Sequence, residues 1–230
     1  MRIHGLQKMT LLDYPEHVAC TVFLGGCDFR CPYCHNYELV ENEVPPLMEE
    51  EEFFAFLGKR KGLLDGVAIT GGEPLLRKDI EDFIKKIKEM GFLVKLDTNG
   101  NHPDMLEKLM DSNLVDYIAM DIKNSPEKYG LTIGIKNFDV KNIDRSISLL
   151  LTGKIPYEFR TTVVKEFHTS EDFISIGRWI RNAKAYYLQQ YVERDTVPDK
   201  SLHSPESLDM ENYLQTVKPY VSDSYIRGVD

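Results

Sequence analysis

Residues 67–100 read VAITGGEPLLRKDIEDFIKKIKEMGFLVKLDTNG. The run opens with four apolar or β-branched residues, short enough for a buried strand. A glycine-rich turn follows. Ile80, Phe83, Ile84 and Ile87 then recur at i, i+3, i+4 and i+7, the spacing of one helix face. Gly91 supplies a stop, a second apolar run covers residues 92–96, and Asp97-Thr98-Asn99-Gly100 ends it in polar residues. Strand, helix and strand in this order form a βαβ unit, which joins parallel strands by a helical crossover.

The same alternation extends in both directions. Further strands are expected at residues 18–24, 117–120, 157–164 and 185–191. Helical stripes are carried by Met105, Leu106 and Leu109 after Pro103, by Val140, Ile143, Ile147 and Leu150, and by Met210, Tyr213, Leu214 and Val217. Thr169 and Asp172 form a capping box before Phe173. Residues 49–52 are all Glu, which suits a helix's first turn. Six strands alternating with helices predict an α/β fold with a parallel sheet, read as a single domain over residues 1–230. In such folds the chemistry sits at the C-terminal ends of the strands. Gly25-Gly26, Gly71-Gly72-Glu73-Pro74, residues 97–100, and Asp121 with Lys123 all fall there.

A formal net charge of -9 argues against a nonspecific binder of nucleic acid or anionic membrane. No stretch is long enough to span a membrane, and residues 1–14 hold no long apolar run. The expected compartment is the cytoplasm, where thiols stay reduced.

Cys27, Cys31 and Cys34 stand as C-x3-C-x2-C in the loop after the first expected strand. Three thiols this close suit a metal better than a disulfide framework. A cubane iron–sulfur cluster held by three cysteines leaves one iron open to substrate. A structural zinc needs a fourth ligand, for which adjacent His35 is the candidate. Cys20, inside a strand, reads as a small buried hydrophobe. The Gly71-Gly72-Glu73-Pro74 turn lets backbone approach a ligand, and its carboxylate can meet an ammonium; the plain alternative is a tight turn capping a strand. The plain alternative for residues 97–100 is an Asx turn with Gly100 in a left-handed conformation. Asp121 and Lys123, two apart, share a face.

The run Cys27-Asp28-Phe29-Arg30-Cys31-Pro32-Tyr33-Cys34-His35-Asn36 resembles the cluster loop of the radical-SAM superfamily. With Leu11-Leu12-Asp13-Tyr14-Pro15 and Phe23-Leu24-Gly25-Gly26 it resembles the glycyl-radical enzyme activating proteins, especially those of anaerobic ribonucleotide reductase. The resemblance implies a partial (β/α)6 TIM-like barrel. It implies a [4Fe–4S] cluster on Cys27, Cys31 and Cys34, with S-adenosylmethionine (SAM) on its open iron. By the same resemblance Tyr33, Asn36, Gly71, Gly72, Glu73, Asn99 and Gln190 are cofactor-binding candidates, and Lys123 pairs with the SAM carboxylate. Asp97, Thr98 and Asp121 are candidates for a monovalent cation. The implied partners are a glycyl-radical enzyme and a flavodoxin or ferredoxin as electron donor. No cysteine follows Cys34, so one cluster is expected. The competing readings are a radical-SAM enzyme of a small molecule, such as a pterin-derived ring-contracting synthase, and a zinc-binding interaction module.

Overall fold

The computed structural model describes residues 1–41 and 44–228. The elements in chain order are β1 (Arg2–Thr10), β2 (Ala19–Leu24), α1 (Tyr37–Val40), β3 (Met48–Glu49), α2 (Glu50–Gly58), β4 (Gly66–Gly71), α3 (Ile80–Glu89), β5 (Leu93–Thr98), α4 (Pro103–Asp111), β6 (Tyr117–Asp121), α5 (Tyr129–Thr132), α6 (Lys141–Leu151), β7 (Tyr157–Val163), α7 (Ser170–Trp179), β8 (Tyr186–Gln190), α8 (Ser207–Val217) and β9 (Ser224–Arg227). A 3₁₀ turn occupies Pro74–Leu76. The fold is α/β with a mostly parallel sheet, and all six expected strands form, as β2, β4, β5, β6, β7 and β8.

Contacts divide the chain into two compact units. The first comprises Met1–Asp28, Asn36–Thr98 and Asp104–Ile118. Its strand order is β3-β1-β2-β4-β5. β2 pairs parallel with β4, and β4 with β5. Ala68 stands opposite Thr21 and Lys95, whereas Val67 stands between Cys20 and Val94. Alternate residues therefore form an apolar face of Cys20, Val22, Val67, Ile69, Val94 and Leu96, all fully buried. Ile80, Phe83, Ile84 and Ile87 of α3 are buried as their spacing predicts. To the expected strands the structure adds β1 and β3, and β1 pairs antiparallel with both β2 and β3. An antiparallel edge on a parallel sheet is a common way to finish one.

The second unit comprises Phe29–His35, Asn99–Pro103 and Ala119–Asp230, with strand order β6-β7-β8-β9. β7 pairs parallel with β8, and β8 with β9. Phe159, Val163, Tyr186 and Leu188 are fully buried, as are Phe173, Ile176 and Met210 of α7 and α8. The capping box at α7 is formed in both directions. Thr169→Ala removes one half of it and should cost about 1 kcal/mol, read as a lower urea midpoint with an unchanged m-value. Among the described residues no helix is long and apolar enough to cross a membrane.

Candidate active site

In the first unit the candidate residues follow the C-terminal ends of β2, β4 and β5. The chain leaves β2 through Gly25, whose N–H donates to His4 Nδ1 at 3.0 Å. Gly26 N–H donates to the Leu39 carbonyl at 2.7 Å and Cys27 N–H to that of Val40 at 3.3 Å, so α1 pins the start of the cysteine loop. The turn after β4 lies against this loop. Gly72 N–H donates to the Leu24 carbonyl and Glu73 N–H to that of Gly26, both at 2.8 Å. A Cβ on Gly72 would stand 2.1 Å from the Gly26 oxygen, a contact no side chain tolerates. Gly71 has φ +120, which favours glycine as well.

Glu73 is completely buried, and its Oε1 accepts from Leu75 N–H and from Thr98 Oγ1, both at 2.9 Å. The carboxylate therefore caps the 3₁₀ turn and ties it to β5. Sequence reasoning missed Lys95. It is 3% exposed and forms an ion pair with Asp97, two residues on along one strand face. Asn36 precedes α1, and its carbonyl accepts from Leu39 N–H at 2.9 Å.

In the second unit Cys31 is buried and Cys34 half-buried, joined in a turn by Cys34 N–H to the Cys31 carbonyl at 3.1 Å. Arg30 N–H donates to the Ile133 carbonyl at 2.9 Å. Phe29 packs edge-on against Tyr129 and Phe138. Burial pushes the Cys31 thiol up to about 11, so its thiolate needs a metal's charge beside it. The Tyr33 ring lies 6.0 Å from that of Phe167 and 6.4 Å from that of Tyr191. Its hydroxyl is buried and has no hydrogen-bond partner among the described residues. His35 stacks on Tyr191 with Nε2 2.7 Å from the Val192 carbonyl.

Asp121 ends β6. Its Oδ2 accepts from Lys123 Nζ and its Oδ1 from Arg160 Nε, both at 2.9 Å. Burial raises an isolated carboxyl, but Arg160 and Lys123 outweigh it and hold Asp121 at about 2. Lys123 stays charged despite burial because Asp121 faces it. His168 is 1% exposed and sits one residue before the α7 cap. Its Nδ1 faces the backbone of Val164, four residues before it, and its Nε2 the Lys123 carbonyl of a distant segment, which no local pattern announces. Asn99 forms the expected Asx turn, accepting from Asn101 N–H at 2.9 Å, and Gly100 has φ +79. Gln190 donates its amide to the Pro205 carbonyl at 2.9 Å.

None of the four cysteines is joined in a disulfide. Among the described residues no group of three or more His, Cys, Asp or Glu side chains can hold a single metal ion. A cubane spreads its thiolates over separate corners, a wider arrangement than one ion needs. In the first unit the side-chain-free approach at Gly72 suits a bulky group beside Cys27, and in the second the Cys31 and Cys34 thiols and the buried Tyr33 hydroxyl do. Of the residues named for a monovalent cation, Asp97 pairs with Lys95 and Thr98 with Glu73 in the first unit, and Asp121 pairs with Lys123 and Arg160 in the second.

Residues 21–180 match the family model of the radical SAM superfamily. A Methanocaldococcus jannaschii protein, named as a glycyl-radical enzyme activating enzyme, is 31% identical over 99% of this chain and 96% of its own length. The chain belongs to the radical SAM superfamily, among the glycyl-radical enzyme activating enzymes. It is an enzyme, and the family's cofactors are a [4Fe–4S] cluster and SAM. The pyruvate formate-lyase-activating enzyme of Clostridium pasteurianum is 33% identical over 54% of this chain and 52% of its own length, so the match spans about half of that relative. SuiB of Streptococcus suis, solved with SAM bound, superposes with TM-score 0.69 at 14% identity, over 90% of this chain and 52% of SuiB. At that identity the likeness concerns the fold alone.

Proposed function

We propose that this radical SAM enzyme removes a hydrogen atom from a backbone glycine of a partner glycyl-radical enzyme, and that the partner is an anaerobic ribonucleotide reductase. The observation that carries the activase reading is the match to the M. jannaschii relative over nearly both full lengths. The resemblance of residues 11–36 to ribonucleotide reductase activases supports the choice of partner.

In this reading Cys27, Cys31 and Cys34 each hold one iron, residues 1–230 act as a single domain, and a flavodoxin or ferredoxin supplies the electron. When bound, the cluster and SAM supply a 5′-deoxyadenosyl radical by one-electron cleavage of the sulfonium. The Lys123 ammonium, held charged by Asp121, meets the SAM carboxylate. The backbone at Gly71, Gly72 and Glu73 receives the SAM amino group. Glu73 shapes that turn, because its Oε1 is committed to capping it. Tyr33 presents its unpartnered hydroxyl and ring edge to the ligand. No side-chain acid or base is needed, since a glycine Cα–H leaves as a hydrogen atom and the flanking amides delocalise the radical.

The test mixes reduced enzyme, SAM and the glycyl-radical reductase of the same organism without oxygen and records an EPR spectrum. A glycyl doublet that requires all three components, and disappears when the target glycine becomes alanine, supports the proposal. SAM turnover on a small molecule with no protein radical sinks it in favour of the small-molecule reading.

A further inference from the structure

The segment that follows β6 keeps one bond to β7, Ile122 N–H to the Arg160 carbonyl at 2.7 Å, and then leaves the sheet, so the ladder does not reach Lys123 itself. A second set of bonds does. His168 Nδ1 lies 3.1 Å from Val164 N, an amide that can only donate, and 3.2 Å from the Val164 carbonyl. His168 Nε2 lies 3.0 Å from the Lys123 carbonyl, a group that can only accept. Nε2 faces an acceptor and Nδ1 has a donor within reach, so the neutral ring with its proton on Nε2 makes a bond at both nitrogens, whereas a proton on Nδ1 would leave the Nε2 lone pair against the Lys123 carbonyl. The ring is packed against Phe173 at 5.7 Å, and the His168 carbonyl accepts from Tyr213 Oη at 3.1 Å.

Neighbouring bonds tie the same two loops. Asn124, fully buried, donates to Thr132 Oγ1 at 2.8 Å and to the Phe167 carbonyl at 3.1 Å. Ser125 Oγ and Lys128 Nζ reach Asp172 of α7 at 3.0 and 2.7 Å. The loop after β6 is thus latched to the loop after β7, and His168 is the member of the latch that grips Lys123 itself.

We infer that His168 is a positioning residue for SAM binding: its Nε2–H bond to the Lys123 carbonyl fixes the backbone from which the Lys123 ammonium reaches the SAM carboxylate. The inference rests on the reading of Lys123 as a SAM contact. The physical need is clear. Lysine has four rotatable side-chain bonds, so its ammonium is placed only if its backbone is, and a displacement of about 0.5 Å already degrades a binding constellation. Asp121 steers the tip of the side chain and His168 anchors its root.

The two amides that imitate a histidine separate the two bonds. Asparagine places its amide where Nδ1 stood and can still accept from Val164 N–H, but does not reach Lys123. Glutamine extends its amide nitrogen to the Nε2 position and can still donate to the Lys123 carbonyl. Both lose the ring's packing on Phe173, so a merely structural role moves them together. We expect His168→Asn to raise the SAM dissociation constant of the reconstituted, oxygen-free enzyme about tenfold, and His168→Gln to restore most of that loss. In the cluster-free protein, hydrogen exchange across residues 122–128 should be faster in His168→Asn than in His168→Gln, while the Val164 amide exchanges in the opposite order. Equal SAM affinities and equal exchange in the two variants, with Lys123→Met still weakening SAM, overturn the inference and leave the proposed function standing. Unchanged SAM affinity in Lys123→Met removes the role of Lys123 itself, and the inference with it.

Discussion

Changing Cys27, Cys31 or Cys34 to alanine will leave a protein that folds but holds no stable cluster after anaerobic reconstitution, against about four irons and four sulfides per chain in the parent. The expected loss is complete because no spare thiol exists. Cys20 is the remaining cysteine, and it is wholly buried in β2 on the apolar face it shares with Val22. Burial pushes its thiol up to about 12, so it does not ionise to replace a missing ligand. Cys20→Ser is the control. It should retain iron and sulfide while melting at a lower temperature, because a hydroxyl replaces a thiol in an apolar site, a cost of about 1–3 kcal/mol. Loss of the cluster in Cys20→Ser alone would falsify the ligand assignment.

Gly72→Ala should be nearly as damaging, by a different route. Its new methyl would lie 2.1 Å from the Gly26 oxygen and 2.7 Å from its carbon, both backbone atoms that cannot swing aside. Either the 71–73 turn or the start of the cysteine loop must move. Overpacking of this kind costs about 1–3 kcal/mol. The larger effect is expected on SAM, whose affinity should fall by more than tenfold as the turn leaves its place. Gly58→Ala, at the end of α2 with nothing within 4 Å of the added carbon, should be neutral or slightly stabilising. Comparable SAM affinities in the two variants would show that the turn takes no part in binding.

Much of this was legible in the amino-acid order because local pattern and tertiary role coincide. The strand at residues 67–70 is apolar on both faces, and the α3 stripe falls on the buried side. The α7 box closes with the pair named from sequence. The elements that escaped notice lack such coincidence. β1 has only Ile3 and Thr10 buried among nine residues, too few to show the alternation by which a strand is read. β9 spans four residues, too few to show a period. The site splits the same way. Cysteine spacing announces itself, whereas Lys95 and His168 are buried polar residues whose partners are chosen by the fold. Glu73 was anticipated as a ligand to an ammonium, yet a capping carboxylate carries the same letters.

Backbone hydrogen bonds hold the chain next to the thiols. Cys27 N–H is bonded to Val40, Cys34 N–H to Cys31, and Arg30 N–H to Ile133. Those three amides are spent on carbonyls of the protein and cannot also donate to the sulfides of a bound group. Attachment at this loop therefore falls to sulfur, and the backbone's share is to aim the thiols.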